Sequence, residues 1–260
     1  MWEKVKVEVN ENGVALFTLN SPENMNSFTI QLCQDIVDAS HYVRENDAVK
    51  VVVITGEGYG FSGGGDVGTL AGMTSPAKAK WTYDVSFSTV QSIYEIEKPV
   101  IAAINGPVAG AAVALMMACD IIIASEKAKF GYNFINLAFC PDSGASYFLT
   151  HKLGYHKALD ILWNGKVLTP DEAYNLGIIN KVVAPDQLIN EAMTTATRLA
   201  AGPLMTIGLD KKLVREAMTN DFYQQAELEA MYQVLTWASD DFKEGCHAFV
   251  EKRKPHFSGK

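Results

Sequence analysis

Two short apolar runs, each followed by a turn of glycine and alanine, constrain the fold of this chain most. The run VVVIT (51–55) precedes FSGGGD (61–66), and VIAAI (100–104) precedes NGPVAGAA (105–112). Runs of this kind are typical of strands buried inside a sheet. Because glycine and alanine leave room around the backbone, each turn presents N–H groups to a ligand. If the turns converge, two donors from different strands hold one carbonyl oxygen, which stabilises an enolate or a tetrahedral oxyanion.

Length, charge and cysteine usage narrow the class of protein. A chain of 260 residues is near the upper size for one core, so one compact domain with a C-terminal appendage is expected. The net charge of -8 and the lack of a long basic run argue against nucleic-acid binding. The four cysteines have no metal-ligand spacing, so we expect reduced thiols and no metal. Without a leader-like or membrane-spanning apolar stretch, a cytoplasmic protein with no membrane contact is predicted.

Strand and helix patterns alternate along the first half of the chain. A hairpin is predicted around Asn12-Gly13, a helix from about Thr29 to Asn46, and mostly helical structure over 68–97, broken near Ser75-Pro76. Strands alternating with helices predict an α/β fold with parallel pairing. The second glycine turn is expected to open a helix over 109–117, before the strand CDIIIAS. After Phe130 helices are expected to dominate, over 143–153, 155–164, 169–176 and the region from 185 onward, with one short strand, INKVV.

Five segments in this order resemble the crotonase superfamily, also called the enoyl-CoA hydratase/isomerases. They are FSGGGD, KPVIAAINGPVAGAAVALMMACDIIIAS, KAKFGYNF, LGIINKVV and EGCHAFVEKRKPHF. The resemblance implies a ClpP-like spiral of ββα turns over 1–200 and a helical region over 201–260 that serves trimerisation and covers coenzyme A. It also implies a homotrimer or a dimer of trimers that binds an acyl-CoA thioester. Coenzyme A is then part of the substrate, and no separate cofactor is expected.

The resemblance assigns the two oxyanion-hole N–H groups to Gly63 and Ala111. Around them it implies substrate contacts by four further residues of the two turns: Gly64, Gly65, Asp66 and Gly110. Many members carry three successive glycines in the second turn, where this chain has Gly110, Ala111 and Ala112. The N–H of Ala111 remains available provided that neither alanine requires a positive φ.

The positions of carboxylates distinguish the chemistries of this family. Where hydratases that resemble this chain carry two glutamates, this sequence has Ala114 and Phe134, neither of which can transfer a proton. Phe134 is expected to line the pocket and make it drier. In the loop FCPDSGASY, Asp142 lies where Δ3,Δ2-enoyl-CoA isomerases and their relatives carry a single acid/base. The resemblance thus implies that Asp142 takes a proton from C2 of a 3-enoyl-CoA and returns it at C4.

The residues alone leave the role and the pKa of Asp142 open. An Asp before a helix is often only an N-cap. Apolar neighbours would raise its pKa by desolvation, and a following helix would lower it.

The remaining candidate residues have less specific roles. For Asp66, capping of the following helix is the first interpretation. By resemblance, Phe249 and Lys252 contact the nucleotide of coenzyme A. The apolar composition of 68–97 predicts a wall around the acyl group that includes Leu70.

Two other functional hypotheses remain beside the isomerase. One is an enoyl-CoA hydratase, a lyase that uses another carboxylate. The other is a non-catalytic acyl-CoA-binding protein on the same scaffold, for which RNA binding is disfavoured because the segment 41–50 is mixed in charge. Dehalogenation is also disfavoured, because the family's dehalogenases use a histidine between the glycine turns, and residues 68–97 contain none.

Overall fold

The computed structural model describes residues 2–259 and has a mixed α/β architecture. In chain order its strands are β1 (Val5–Val9), β2 (Val14–Leu19), β3 (Val51–Gly56), β4 (Val100–Ile104), β5 (Pro107–Ala109), β6 (Ile121–Ser125), β7 (Lys129–Gly131), β8 (Val167–Leu168) and β9 (Lys181–Val183). Six of these form one sheet in the order β1-β2-β3-β4-β6-β9. Only β1 and β2 pair antiparallel, as the predicted hairpin, and the remaining pairs in this sheet are parallel.

Eleven α-helices surround the sheets within residues 2–259. They are α1 (Ile30–Glu45), α2 (Val67–Ala71), α3 (Pro76–Tyr94), α4 (Ala111–Met117), α5 (Ala145–Leu153), α6 (Tyr155–Trp163), α7 (Pro170–Asn175), α8 (Leu188–Ala200), α9 (Leu204–Glu216), α10 (Phe222–Trp237) and α11 (Asp240–Glu251). The predicted break near Ser75-Pro76 is confirmed. The Ser75 side chain accepts from the N–H of Lys78, and proline occupies the first turn of α3, where its missing N–H costs nothing.

The central strands β3 and β4 are buried on both faces, which explains their continuous apolar sequence. One face contributes to the main core, together with apolar residues of α1, α3 and α4. The opposite face packs against α8, which presents Leu188, Ala192, Ala196 and Ala200 at intervals of four residues. This spacing lies along one side of a helix, and the small alanines allow it to approach the sheet closely.

The region around the second glycine turn differs from the prediction. Instead of a helix from 109, Pro107–Ala109 forms β5, which pairs parallel with β7, and β7 pairs antiparallel with β8. Gly110, with φ of 56°, then turns the chain so that α4 begins only at Ala111. Strands of two or three residues are too short to show a period in the sequence, so this three-stranded sheet was not foreseen.

No residue of α9 or α10 is buried as a whole within one chain, although the Lys211 side chain of α9 is only 8% exposed. Helix α9 is held to the core by Asp120, whose carboxylate accepts from the N–H of Val100 at 2.8 Å and from Lys211 Nζ at 2.6 Å. Arg215 also donates to Asp120, at 3.3 Å, and its guanidinium lies 3.9 Å from the centre of the Tyr94 ring. Burial of Lys211 lowers the pKa of its ammonium, so the Asp120 carboxylate is its required counter-charge.

None of the helices in residues 2–259 combines the length and apolar character needed to cross a membrane. All four cysteines are free thiols. Cys33 and Cys119 are buried, and Cys140 and Cys246 are exposed.

We expect Asp120→Asn to lower the free energy of unfolding by about 2 to 3 kcal/mol, because it leaves the buried Lys211 ammonium without a carboxylate. Urea denaturation at pH 7 measures this change. Asp84→Asn is the matched control, because Asp84 pairs with Lys80 at the surface and its loss should cost about 0.5 kcal/mol or less. Equal effects of the two substitutions would contradict the role given to Asp120.

Candidate active site

The two glycine turns lie side by side and are joined by backbone hydrogen bonds. The N–H of Phe61 donates to the carbonyl of Pro107 at 2.9 Å, and the N–H of Ala109 donates to the carbonyl of Ser62 at 3.1 Å. Each turn follows the carboxyl end of a parallel strand, β3 or β4, which brings the two turns to the same edge of the sheet. The convergence on which the sequence argument depended is therefore present.

Close approach of the two backbones explains why glycine is needed here. Gly64 has φ of 75°, and a Cβ at this position would lie 2.2 Å from the carbonyl oxygen of Ala109. At Gly106, a Cβ would lie 1.9 Å from the carbonyl oxygen of Tyr59. In the second turn only Gly110 has a positive φ, so Ala111 and Ala112 are accommodated without strain. The sequence analysis required that neither alanine adopt a positive φ, and this condition is met.

The assignment of Gly63 as an oxyanion donor is wrong. Its N–H donates to the carbonyl of Met25 at 2.8 Å and is therefore occupied within the protein. The N–H of Gly64 is also occupied, by Ser62 Oγ at 3.2 Å. The N–H groups of Gly65 and Ala111, in contrast, have no protein acceptor within residues 2–259. Ala111 is the first residue of α4, where an N–H has no intrahelical partner.

These two free N–H groups belong to neighbouring segments. A Cβ built on Gly64 would lie 3.0 Å from the nitrogen of Ala111, and one built on Gly110 would lie 4.0 Å from the nitrogen of Gly65. The pair available to a carbonyl oxygen is thus Gly65 and Ala111. Gly65 and Gly63 differ in whether the N–H already has a backbone acceptor, and the sequence does not contain this information.

The turn at 21–27 holds the first glycine turn in place by hydrogen bonds, a role that the sequence did not reveal. Asn26 is buried with φ of 50°, and its side-chain amide donates to the carbonyls of Glu57, Gly60 and Phe61. Its own carbonyl accepts from Ser62 Oγ at 2.7 Å. The only sequence signal for this role is the residue type, because asparagine tolerates the left-handed region better than most residues.

A cavity of about 430 Å³ opens beside the first glycine turn. Gly65, Asp66, Leu70 and Asp142 line it, as the sequence analysis expected of a ligand site. The rest of the wall is mostly apolar and comes from α1, α2, α3 and the loop before Asp142: Phe28, Ile30, Cys33, Val67, Thr69, Ala71, Met73, Ala79, Thr82, Tyr83, Val85, Ser86, Leu137 and Phe139. A cavity of this composition suits an apolar group attached to a polar reacting centre.

Asp142 is half-buried, and its buried Oδ1 lacks a hydrogen-bond partner within the described chain. It is not the cap of the helix that follows, because Gly144 holds the N-cap position of α5 without any side-chain bond. Desolvation raises the pKa of Asp142 to about 6, and a backbone hydrogen bond opposes this only in part. Of the two opposing effects left open by the sequence, burial therefore prevails.

Asp66, the other carboxyl of the cavity, has the opposite environment. It caps α2, where its side chain accepts from the N–H of Thr69 at 2.9 Å and from the Thr69 hydroxyl. These hydrogen bonds lower the pKa of Asp66, so it is ionised at neutral pH. The expected capping role is confirmed, and the two carboxyls of one cavity differ in proton affinity.

Seven of the predicted site residues do not line this cavity: Gly63, Gly64, Gly110 and Ala111 of the two turns, and Phe134, Phe249 and Lys252. Phe134 packs into the main core instead of lining the cavity, because a 3₁₀ turn over Phe134–Leu137 directs its ring inward and leaves Leu137 at the wall. Its predicted place in the pocket is wrong. Phe249 is 85% exposed and borders a separate groove of about 810 Å³ between the C-terminal helices. Lys252 ends α11 in the left-handed region, with φ of 56°.

Residues 2–259 contain no group of three or more His, Cys, Asp or Glu side chains arranged to hold a metal ion. The cavity and the two turns supply a carboxyl of raised pKa, an ionised carboxylate and two free backbone N–H groups.

We expect Gly64→Ala to lower the free energy of unfolding by about 2 kcal/mol or more. The new methyl group overlaps the Ala109 carbonyl and the residue must also adopt a positive φ. Gly63→Ala is the control, because its methyl group meets only the movable ends of Met25 and Ser27, and about 1 kcal/mol or less should be lost. Urea denaturation of both variants measures the difference, and a milder effect at Gly64 would contradict the contact between the turns.

The raised pKa of Asp142 predicts a pH-dependent gain of stability in Asp142→Asn. Above pH 6 the native protein must ionise this buried carboxyl, whereas the amide carries no charge, so the variant should be more stable by on the order of 2 kcal/mol. The gain should vanish as the pH falls from about 6 to below 4, where the carboxyl is protonated in both states. Denaturation at pH 8 and pH 4 tests this, and an equal difference at both values would contradict it.

Comparison with known proteins finds similarity along nearly the whole chain. Residues 9–260 match the family model described as enoyl-CoA hydratase/isomerase. The chain is 34% identical to 1,2-epoxyphenylacetyl-CoA isomerase of Escherichia coli K12, over 96% of this chain and 97% of that protein. It is 33% identical to crotonyl-CoA hydratase of Syntrophomonas wolfei, over 100% and 99%.

Among solved structures, the enoyl-CoA hydratase of Bacillus anthracis superposes with a TM-score of 0.94 at 27% identity, covering 99% of this chain and all of that one. Isomerases and hydratases thus both occur among proteins similar to this one. With the fold and the family match in agreement, the chain belongs to the enoyl-CoA hydratase/isomerase family of the crotonase superfamily, enzymes that act on acyl-CoA thioesters.

Proposed function

We propose that this enzyme is an enoyl-CoA isomerase that converts a 3-enoyl-CoA to the conjugated 2-enoyl-CoA, with Asp142 as its acid/base. The observation that supports this is that Asp142, which lines the same cavity as Gly65, has a buried Oδ1 without a hydrogen bond and a pKa near 6. A base of this pKa is ionised at neutral pH but returns its proton more readily than an ordinary aspartate does.

The proposed reaction moves one proton and requires no other reactant. The Asp142 carboxylate removes a proton from C2, and the electron pair delocalises onto the thioester oxygen and, through the C3–C4 double bond, onto C4. The N–H groups of Gly65 and Ala111 stabilise this dienolate oxygen, because neither is occupied by the protein. Protonated Asp142 then donates to C4, which forms the double bond between C2 and C3 and restores the carboxylate.

The surroundings of the cavity disfavour hydration as the main reaction. At the two positions where resemblance places the glutamates of hydratases, Ala114 is fully buried in α4 and Phe134 is buried in the core. Besides Asp142, the only carboxyl at the wall in the described chain is Asp66. Its hydrogen bonds to Thr69 engage it in capping α2, and its lowered pKa makes it a weak base.

We extend the proposal to coenzyme A and to the oligomer. Phe249 and Lys252 lie on the C-terminal helices, apart from the Asp142 cavity, so their contact with the nucleotide would be made in a neighbouring subunit. Large apolar side chains of this region are exposed in one chain, including Phe222, Tyr223, Trp237 and Phe249, each 67% exposed or more. Burial of such a surface between copies is expected, and we propose a homotrimer or a dimer of trimers in the cytoplasm.

The test is incubation of the purified protein with a 3-enoyl-CoA and detection of the conjugated product by its ultraviolet absorbance. Asp142→Asn should lower kcat by about 100-fold or more, because the amide cannot accept the proton. In the unmodified enzyme, kcat should rise with pH through about 6 as Asp142 ionises. Asp66→Asn is the matched control, because its amide oxygen can still accept from the N–H of Thr69, and it should retain most of the activity.

Two results would point to the other hypotheses. Addition of water to a 2-enoyl-CoA faster than isomerisation, with loss of that activity in Asp66→Asn, would favour a hydratase. Tight binding of acyl-CoA with no turnover of any enoyl-CoA would favour a binding protein. An Asp142→Asn variant with full isomerase rate would refute the proposed role of Asp142.

A further inference from the structure

The loop that carries Asp142 is a tight turn with an unusual second residue. The N–H of Ala145 donates to the carbonyl of Asp142 at 2.8 Å, and both central residues have positive φ, 53° at Ser143 and 93° at Gly144. This is the geometry of a type I′ turn, in which glycine or asparagine is the usual choice at both central positions. Ser143 therefore holds a backbone conformation that an L side chain disfavours.

A hydrogen bond to another element holds Ser143 in place. Its side chain is fully buried, and its hydroxyl lies 2.8 Å from the hydroxyl of Ser86 on α3. No other side-chain partner of the Ser143 hydroxyl occurs in residues 2–259. Because a buried hydroxyl without a partner is costly, this contact favours the one turn conformation in which Ser143 reaches α3.

Among the buried and half-buried hydroxyls of α3, Ser86 is the one whose hydrogen bond reaches the loop of Asp142 in the described chain. Thr89 Oγ1 donates to the carbonyl of Val85 at 2.9 Å within the helix, and Thr82 Oγ1 donates to Met73 Sδ at 3.8 Å. Ser92 Oγ bonds the carbonyl of Thr89 at 2.9 Å and Ser40 Oγ of α1 at 3.2 Å. Ser86 instead reaches across to the loop of Asp142, and it also lines the cavity. Ser86 thus connects the wall of the cavity that contains Asp142 to the turn that follows Asp142.

We propose that Ser86 is a positioning residue for Asp142. Its hydroxyl holds Ser143 in the strained turn and thereby fixes the direction of the adjacent Asp142 carboxyl toward the cavity. The Oδ1 of Asp142 has no hydrogen bond of its own, so the turn and its packing must set the orientation of the carboxyl. The catalytic consequence rests on the proposed isomerase function, whereas the orientation of Asp142 does not.

The kinetic test compares Ser86→Ala, Ser143→Ala and the double variant. Each single change should lower kcat about tenfold and alter KM by about twofold or less, because the base is misplaced while the cavity is kept. Both changes remove the same hydrogen bond, so the double variant should be no slower than the slower single variant. Ser86→Thr, which keeps the hydroxyl, should recover most of the rate.

Ser88→Ala is the matched control, because Ser88 is exposed on the same helix and should not affect kcat. An unchanged kcat in Ser86→Ala, or effects that add in the double variant, would overturn the proposal. A loss of the same size in Ser88→Ala would also overturn it, since it would show a general sensitivity of α3.

A second measurement does not depend on turnover. The side-chain carboxyl of Asp142, followed by carbon-13 NMR against Asp142→Asn as the blank, should titrate at lower pH in Ser86→Ala than in the unmodified protein. The loosened turn would expose the carboxyl to water. An unchanged titration would overturn the positioning role. A shifted titration in a protein without isomerase activity would refute the proposed function and leave the positioning role standing.

Discussion

The close backbone approach of the two glycine turns is the constraint on which the site depends. Side chains at Gly64 or Gly106 would overlap carbonyl oxygens of the facing segment, so the hydrogen bonds between Phe61 and Pro107 and between Ala109 and Ser62 require glycine there. This contact in turn determines which N–H groups are consumed and which stay free. Gly63 is tied to Met25, while Gly65 and Ala111 are left to a ligand. An oxyanion hole of this kind consists of N–H donors that the fold brings close together and leaves without an acceptor in the protein.

Around that contact, the protein places two aspartates in one cavity and gives them opposite proton affinities. Asp66 accepts hydrogen bonds from Thr69, which lower its pKa, while Asp142 has a free oxygen in a mostly apolar wall, which raises its pKa. One carboxylate stabilises a helix and the other is available for proton transfer. The division of roles follows from hydrogen bonding and desolvation and not from the residue type.

Much of the architecture could be predicted from local pattern. Asn12-Gly13 marked the hairpin, the run at 51–55 marked a strand buried on both faces, and Ser75-Pro76 marked the start of α3. The short strands β5, β7 and β8 were missed because two or three residues carry no period, and their pairing joins distant parts of the chain. The helix expected from 109 begins at Ala111 for the same reason, since β5 occupies the residues before it.

In the site, the sequence identified which positions carry a group able to transfer a proton. It was less reliable about what each site residue contacts. The chain itself shows that positions 114 and 134 carry no carboxylate and that 142 does, and this restricts the acid/base chemistry before any fold is known. The errors at Gly63 and Phe134 were errors of environment: one N–H is paired with Met25, and one ring turns into the core.

The sequence by itself determined the family, the order of the main-sheet strands and of the longer helices, and the set of groups able to move a proton. Only the tertiary structure decided that Gly65 rather than Gly63 keeps a free N–H, that Asp142 is desolvated and not a helix cap, and that Ser86 reaches the turn beside it. The physical reason is that hydrogen-bond satisfaction and burial depend on neighbours that are distant along the chain. Residue types and their spacing do not identify those neighbours.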